Sequence, residues 1–593
     1  MVKNKILYLG LILLLIATLF PSSLMLTSCT SKATTSTSTT SITTSTTSPI
    51  TNSNTPQYGG TLTVLNYWYG SDPQGFDAGL SPAVWTTVIW DNPFLDWLSV
   101  GGIDQYGPRG NNAFTFQTSQ YIPGQYLGGG VAESWSVTLD PVTITFNIRP
   151  GIMWAGNTTL GMPSRELTAD DVVWSEKRAQ AAPVVKGDYD FITDIVAKDK
   201  YTVVMDCSSF NADWLFLLAY GNMPGLITCP ESGNSTVGGG GEDWRNQVSD
   251  GPFIISNYIS GTSVTYTRNS NYWGSTTING KQYKLPFIDS LVYPIMPDEA
   301  TALAALRTGK VDWWPTVPSS YGTSLKQTSS SLAQSPWTTG EVYVVWVNRL
   351  DNQYLKNTTV RQALETATDF QTITNIEFPG GTLLGYPIAP GNPAYTSLQD
   401  LPSSIKSQFT YNPTLAQQML TTAGYPKGFS LTLQVDSKDS TESDVAQLIE
   451  NEWAKVGVQV TIDSLPTTAL EANRMSRSYD LLMHQFNVND PVNVLLSFNG
   501  AVGNTSALYS STEPFAAMYQ TIINDTDLTK QTTDIKQMAL AVLADGGYIP
   551  LADPVELNCY WPWLKNYYGE TDAGYSNLMP MISELWIDPN LKN

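Results

Sequence analysis

Few side chains in this sequence are suited to catalysis or to transition-metal binding. The 593 residues include one histidine, His484, and four cysteines at positions 29, 207, 229 and 559. No C-x-x-C pair occurs, so the sequence does not predict a zinc site built on histidine and cysteine. A serine hydrolase would have to use His484 as its base, and no G-x-S-x-G sequence accompanies it. His484 lies in an apolar run, which fits either a packed side chain or one that lines a binding site.

Acidic residues are abundant, and their negative charge limits the classes of possible partner. Asp and Glu number 52 against 31 Lys and Arg, which gives a net charge of −21. This balance argues against nucleic acid and anionic membrane surfaces as partners. No D-x-D-x-D-G calcium loop is present, and no cofactor is expected. A pair of catalytic carboxylates cannot be recognised by spacing alone, so a tethered extracellular hydrolase stays an alternative to a binding protein.

The first 56 residues predict that the protein is located outside the cytoplasm. Lys3 and Lys5 precede an apolar run over residues 6–20, whose length of about fifteen residues is typical of a signal peptide. The sequence before Cys29 resembles the lipobox of secreted lipoproteins, which implies a signal peptide over 1–29 and lipidation of Cys29. A Ser/Thr-rich stretch over 30–56 follows and is too polar to bury a core, so we expect a solvated tether.

If Cys29 carries a lipid, three cysteines remain, and these allow one intrachain disulfide with one thiol left over. Cys207 and Cys229 are the pair closest in sequence. Spacing alone does not establish a bridge, so both the paired and the free state stay open.

Local patterns in the remainder predict an α/β protein. Residues 134–149 alternate apolar and polar side chains around Asp140-Pro141, as a β-hairpin does. Thr168 followed by Asp170 and Asp171 indicates a helix start, and that helix is expected to run to about residue 181. Asn412-Pro413 begins another helix. Downstream, an alternating run over 429–435, a helical apolar stripe over 440–456 and an apolar run from 458 form a βαβ unit.

Several spaced motifs share the order found in one protein family. They are VAESW at 131–135, ITFNIRPGIMW at 144–154, LTADDVVWS at 167–175, GPF at 251–253, RNSNYWG at 268–274, PDEAT at 297–301 and VRQAL at 360–364. Together they resemble the extracytoplasmic solute-binding proteins of ABC importers, in the peptide/nickel-type family 5.

This resemblance implies an α/β fold like that of the type II periplasmic binding proteins, with two lobes, a hinge and an extra small domain. Lobe I would cover 57–335, including the extra domain at about 90–195, and the chain would return to it over 546–593. Lobe II would cover 336–545. The ligand would be enclosed between the lobes by hinge closure and delivered to a membrane permease. A separate ATPase would supply the energy, because this chain lacks a G-x-x-x-x-G-K-[ST] loop.

The resemblance also suggests where a ligand binds. In peptide-binding members, an aspartate after a strand of the second lobe pairs with the free amino terminus of the ligand. The corresponding run here, residues 479–491, is shorter and places asparagines where that acid is expected. An amide accepts a hydrogen bond from an ammonium group but supplies no opposite charge. The candidates in this run are His484, Phe486, Asn487, Asn489 and Asp490; Asp490 either replaces the missing acid or, with Pro491, simply makes the turn.

Two further candidates and one alternative ligand complete the sequence-based hypothesis. Asp72 follows the first strand, where family members place a ligand-facing acid, and Tyr189 resembles a position whose tyrosine reaches the cleft. Oligopeptide or a similarly extended solute is the ligand that the resemblance favours. The 18 tryptophans and 30 tyrosines leave an oligosaccharide as the alternative, because aromatic rings stack on sugar faces. The tryptophans available for such stacking, most of them expected in the core, are Trp68, Trp313, Trp314, Trp346 and Trp453.

Overall fold

The computed structural model describes residues 55–592, except 68, 78–83, 118–120, 184, 238–239, 489 and 501–508. The predicted signal peptide, Cys29, most of the tether, Trp68 and Asn489 lie outside the described residues. Asn54–Asn593 form one compact unit. Within the part of the chain that is described, no helix is both long enough and apolar enough to cross a membrane.

Strands occur along the whole described chain. The 26 strands of the described residues are β1 (Thr61–Thr63), β2 (Ser99–Gly101), β3 (Leu127–Gly129), β4 (Ala132–Leu139), β5 (Val142–Ile148), β6 (Met153–Trp154), β7 (Arg165–Glu166), β8 (Ile192–Asp199), β9 (Thr202–Cys207), β10 (Phe253–Ile259), β11 (Ser263–Arg268), β12 (Ser275–Ile278), β13 (Lys281–Lys284), β14 (Ser290–Pro294), β15 (Trp313–Pro318), β16 (Ala333–Thr338), β17 (Glu341–Val347), β18 (Thr382–Leu383), β19 (Phe429–Asp436), β20 (Val458–Leu465), β21 (Leu481–Asn487), β22 (Tyr548–Pro550), β23 (Ala552–Asp553), β24 (Val555–Tyr560), β25 (Leu564–Lys565) and β26 (Trp586–Ile587).

Helices are concentrated in the second half of the described chain. The α-helices are α1 (Val84–Asp91), α2 (Ile103–Tyr106), α3 (Ala169–Ala181), α4 (Pro230–Gly233), α5 (Glu299–Arg307), α6 (Gly322–Thr328), α7 (Thr358–Thr366), α8 (Phe370–Glu377), α9 (Ser403–Lys406), α10 (Pro413–Thr422), α11 (Ser440–Ala454), α12 (Thr467–Ser476), α13 (Pro491–Leu496), α14 (Pro514–Ile523), α15 (Leu528–Asp545) and α16 (Met579–Glu584).

Two four-stranded sheets lie in the first half of the chain. One has the order β1-β14-β11-β10, and β1 runs parallel to β14. The other, β4-β5-β9-β8, contains the predicted hairpin, whose strands β4 and β5 pair on either side of Asp140-Pro141. Helix α3 begins at the predicted cap, where the Thr168 amide donates to Asp171 Oδ2 at 2.9 Å and the reciprocal bond completes a capping box. The hairpin and this helix start are confirmed.

A five-stranded mixed sheet dominates the second half, in the order β20-β19-β21-β17-β22. β19 and β20 are parallel, with Phe429 opposite Val458, and α11 connects them. The predicted βαβ unit is therefore confirmed. The Asn412 side chain accepts from the Leu415 amide at the start of α10, which also matches the prediction.

The chain crosses twice between this sheet and the three-stranded sheet β15-β24-β16. The first crossing lies at 339–340, between β16 and β17. The second lies at 551–554, between β22 and β24, and includes the short strand β23. Residues more than two hundred positions apart in sequence therefore meet beside the two crossings.

Buried apolar residues gather into separate cores. We call the largest the first core: it contains Trp313 and residues between Leu62 and Ile295 and between Leu564 and Ile587. Two further cores cover the two faces of the five-stranded sheet: one contains Tyr343 and Met483. The other contains Val344, Leu482 and helices α13 and α14, and we call it the second core.

Candidate functional site

Three acidic side chains lie together beside the two crossings. Glu341 begins β17, Asp553 ends β23 and Glu556 lies in β24, opposite Trp337 of β16. We call Glu341, Asp553 and Glu556 the acidic cluster. Asp553 is 1% exposed, and its Oδ1 accepts a hydrogen bond of 3.2 Å from the Gly340 amide. The cluster thus combines side chains from two sheets and from the second connection between them, while the first connection contributes the Gly340 amide.

Burial and mutual repulsion make these carboxyl groups hard to ionise. Burial raises the pKa of Asp553 to about 7 and that of Glu556 to about 8, and the charge of Glu341 adds to both shifts. The pKa of Glu341 is also raised by burial, while the bond from Asn487 opposes that shift. A positive charge placed among them would relieve the repulsion and favour the ionised carboxylates.

Two buried oxygens, one in the cluster and one beside it, accept no hydrogen bond from the described residues. Antiparallel pairing of β17 with β21 places Asn487 opposite Glu341, and Asn487 Nδ2 donates to Glu341 Oε1 at 2.7 Å. These oxygens are Asn487 Oδ1 and Glu556 Oε2, which have no partner in the described part of the chain. Unpaired buried acceptors are costly, and an ammonium group, with three donors and one positive charge, has the chemistry to satisfy them.

Local sequence explains how the cluster forms. Gly340 has φ +71°, a backbone conformation that favours glycine, and it turns the chain into β17 so that its amide points at Asp553. Gly385 packs against the same aspartate, since a Cβ there would lie 3.0 Å from Asp553 Cβ. Both glycines let the backbone approach the carboxyl group closely.

The predicted residues of β21 divide between the two faces of the sheet. Asn487 joins the acidic cluster. His484 and Phe486 alternate with it and lie on the opposite face, where Phe486 packs with its ring centroid 5.1 Å from that of Tyr386. His484 Nε2 lies 3.3 Å from Glu471 Oε1, and burial lowers the pKa of the imidazole.

Asp490 makes the turn that the alternative interpretation expects, and it also has a second contact. Its Oδ1 accepts from the Val492 amide at 2.8 Å and caps α13. Its carboxyl group also faces the carboxyl group of Asp213, in the first half of the chain.

Asp72 and Tyr189 lie apart from the acidic cluster and are held by other partners. Asp72 accepts hydrogen bonds from Tyr258 Oη at 2.9 Å and from the Gly261 amide at 2.8 Å, in the turn between β10 and β11. Tyr189 is 2% exposed and donates to Glu176 Oε2 at 2.5 Å. A ligand contact at either residue stays a prediction.

Sequence reasoning missed all three members of the acidic cluster and Asp213. The available signal was the placement of Glu341 at the start of a seven-residue apolar strand and of Asp553 after Pro550-Leu551-Ala552. Acids at such positions are rare unless paired.

The tryptophans named for sugar stacking are inside the protein. Trp313, Trp314, Trp346 and Trp453 are between 0% and 1% exposed. Their ring faces are occupied by core side chains, so these four do not offer a stacking surface.

The cysteines and acids of the described chain form neither a disulfide nor a metal site. Cys207, Cys229 and Cys559 are free thiols, so the open question about Cys207 and Cys229 is answered as unpaired. Among the described residues, no group of three His, Cys, Asp or Glu side chains is arranged to hold a metal ion.

Comparison with known sequences identifies relatives across most of the chain. The profile described as "Bacterial extracellular solute-binding proteins, family 5 Middle" matches residues 127–506. Heme-binding protein A of Haemophilus influenzae is 26% identical over 478 residues, which cover 75% of this chain and 82% of that protein. The dipeptide-binding protein of Escherichia coli is 28% identical over 370 residues, or 59% of this chain and 64% of that protein.

Solved structures share the fold at low sequence identity. The periplasmic binding protein DppA from Helicobacter pylori, in complex with the peptide STSA, has a TM-score of 0.70 and 19% identity, covering 90% of this chain and 98% of that one. AppA from Bacillus subtilis, in complex with a nonapeptide, has a TM-score of 0.66 and 18% identity, covering 90% and 100%. These likenesses confirm the expected α/β fold of the type II periplasmic binding proteins.

Proposed function

Because this chain belongs to the bacterial extracellular solute-binding proteins of family 5, we propose that it captures peptides outside the cell for an ABC importer. It would hand them to a membrane permease driven by a separate ATPase. The relatives named for dipeptide binding and the structural neighbours solved with peptides support this ligand class. Heme-binding protein A shows that the family also contains a member named for a different ligand.

The acidic cluster is the observation that carries the peptide proposal. A peptide has an ammonium group at its amino terminus, whereas a neutral sugar has none. Asparagines stand where the family resemblance places an acid, and Glu341 is hydrogen-bonded to one of them, Asn487, on the neighbouring strand. The negative charge missing at Asn487 would thus be supplied by Glu341, Asp553 and Glu556.

The raised pKa values of the acidic cluster link its electrostatics to ligand binding. Three carboxyl groups with raised pKa values, of which Asp553 is fully buried, destabilise the protein without ligand. Charge-assisted hydrogen bonds to an ammonium group are roughly twice as strong as neutral ones. A bound ammonium group would relieve the repulsion that destabilises the protein without ligand, and this relief would add to the binding free energy.

The tether and Cys29 fit the same function. A lipid at Cys29 would hold the receptor at the outer face of the membrane, and residues 30–56 would let it turn toward the permease. Tethering raises the effective concentration of the receptor at its partner without any new contact.

Thermal-shift measurement on the purified protein tests the ligand class. Peptides with a free amino terminus, the same peptides with an acetylated terminus, and neutral oligosaccharides are compared, because a ligand that binds only the folded state raises Tm. We expect a shift with the free peptides and a much smaller one with the acetylated peptides. A shift with oligosaccharides alone would replace the peptide proposal with the sugar alternative.

A matched pair of variants ties the result to the site. Glu341→Gln should weaken the shift caused by free peptides. Glu133→Gln, which changes an exposed glutamate on β4, should leave it unchanged. Equal shifts in the two variants would mean that the amino terminus binds elsewhere.

A further inference from the structure

A pair of carboxyl groups joins the parts of the protein that contain the first and the second core. Asp213 directly precedes Trp214 of the first core, and Asp490 caps α13, which packs in the second core. Beside them, the Ala212 amide donates to the carbonyl oxygen of Ile523 at the end of α14, at 2.7 Å. The carboxyl–carboxyl contact therefore exists only while these two parts meet.

Two carboxylates in hydrogen-bond contact cannot both be ionised without strong repulsion. Asp213 is 3% exposed, and its Oδ1 accepts no hydrogen bond from any described residue. A proton on the Asp213 carboxyl group turns the contact into a hydrogen bond donated to Asp490. Asp490 is already an acceptor for the backbone of α13, so it is the natural ionised partner.

Among the described side chains, the titratable groups that act electrostatically on the pair are an aspartate and three tyrosines. Asp188, from the turn at residues 186–189, adds negative potential to Asp213. The hydroxyl groups that face the pair belong to Tyr121, Tyr220 and Tyr519, from three other segments, and all three have raised pKa values and remain neutral. The neighbouring Asn493 of α13 acts in the opposite direction and lowers the pKa of Asp213.

Burial, aided by the charge of Asp490, raises the pKa of Asp213 well above its ordinary value, and burial raises that of Asp490 to about 6. When the two parts separate, each carboxyl group meets water and its pKa returns toward the ordinary range. Formation of the contact therefore takes up a proton at pH values between the pKa of the separated carboxyl groups and the pKa of the groups in contact.

We propose that closure of the two parts is coupled to uptake of a proton shared by Asp213 and Asp490, so that acidic medium favours the closed, ligand-retaining form. The inference rests on the proposed function only for the meaning of closure, namely enclosure of a solute. Proton uptake itself is a property of the ligand-free protein.

The linkage has a definite sign and size. Because a closed-state pKa lies above its open-state value, the ratio of closed to open protein falls as pH rises above the ordinary range for aspartate. The fall is up to about tenfold per pH unit for one proton, and it ends once the pH exceeds the closed-state pKa.

The test measures closure of the ligand-free protein by small-angle X-ray scattering from about pH 5 to about pH 7. Asp213→Asn keeps a donor for Asp490 but does not titrate. The closed-to-open ratio of the wild type should fall by up to about tenfold per pH unit. The ratio of Asp213→Asn should lack this contribution. Asp490→Asn provides a second variant, because Asp213 can then ionise without facing another carboxylate. Asp444→Asn, which changes an exposed aspartate of α11, is the control and should behave as the wild type.

Infrared spectroscopy at neutral pH checks the proton directly. The wild type should show the C=O band of a protonated carboxyl group that Asp213→Asn lacks. Equal pH dependence in the wild type and both variants, or an unchanged band, overturns the proposal. Closure that requires an added primary amine at every pH overturns it as well, because a cation rather than a proton would then neutralise the pair. Failure of peptides to bind would leave these measurements unaffected.

Discussion

Replacing Asp553 with asparagine should stabilise the empty protein and weaken its binding of peptides. The pKa of Asp553 is raised from 3.8 to about 7, mainly by burial, and each pKa unit corresponds to about 1.4 kcal/mol. The ionised carboxylate thus costs the folded state up to about 4 kcal/mol above pH 7. Asparagine stays neutral and keeps an oxygen for the Gly340 amide, so we expect a gain of about 1 to 4 kcal/mol.

The pH dependence of this gain follows from the direction of the shift. An acid with a raised pKa in the folded state binds its proton there more tightly than in the unfolded chain. Its destabilising effect is therefore absent near pH 4, grows as the pH rises to about 7 and then levels off. Urea unfolding of the wild type and of Asp553→Asn should give similar free energies at about pH 4 and different ones at about pH 8.

Peptide affinity should change in the opposite direction. Hydrogen bonds to charged groups are worth about 1.5 to 3 kcal/mol, which corresponds to a loss of about 10- to 150-fold in Kd for a free peptide. Its acetylated form should bind the two proteins alike. Asp444→Asn serves as the control for both measurements. A variant that is less stable than the wild type at about pH 8, with unchanged affinity, would refute the assignment of Asp553 to the ligand site.

Two further substitutions test individual contacts. Asn487→Asp would place a second carboxylate against Glu341, where the amide now donates at 2.7 Å; the free energy of unfolding at neutral pH should fall by about 1 to 3 kcal/mol in a urea titration, whereas a gain in stability would show that the two side chains do not face each other. Tyr189→Phe removes the donor to buried Glu176 and should cost about 1 to 3 kcal/mol of stability with calorimetric peptide affinity unchanged; a large loss of affinity would instead make Tyr189 a ligand contact.

The elements that could be predicted from the sequence are those defined by local patterns. The βαβ unit follows from alternation in β19, the apolar stripe of α11 and the glycine after it, all within about forty residues. The hairpin of β4 and β5 and the capping box at Thr168 are local in the same way. Each of these patterns can be recognised within a short stretch of sequence, without knowing which distant residues it contacts.

The acidic cluster could not be predicted by the same means. Glu341 and Glu556 are far apart in sequence and meet because β17 and β24 flank the two crossings between sheets. Their proximity depends on strand order and register, which no short pattern encodes. That asparagines stand where the resemblance expects an acid was visible in the sequence, but the proposal that Glu341 supplies the charge required the pairing of β17 with β21.

The most direct measurement is a crystal structure of the protein with a bound peptide. We expect the terminal ammonium group to lie within about 2.7–3.2 Å of carboxylate oxygens from Glu341, Asp553 or Glu556. An amino terminus held by other residues, with the acidic cluster left without a positive charge, would contradict it.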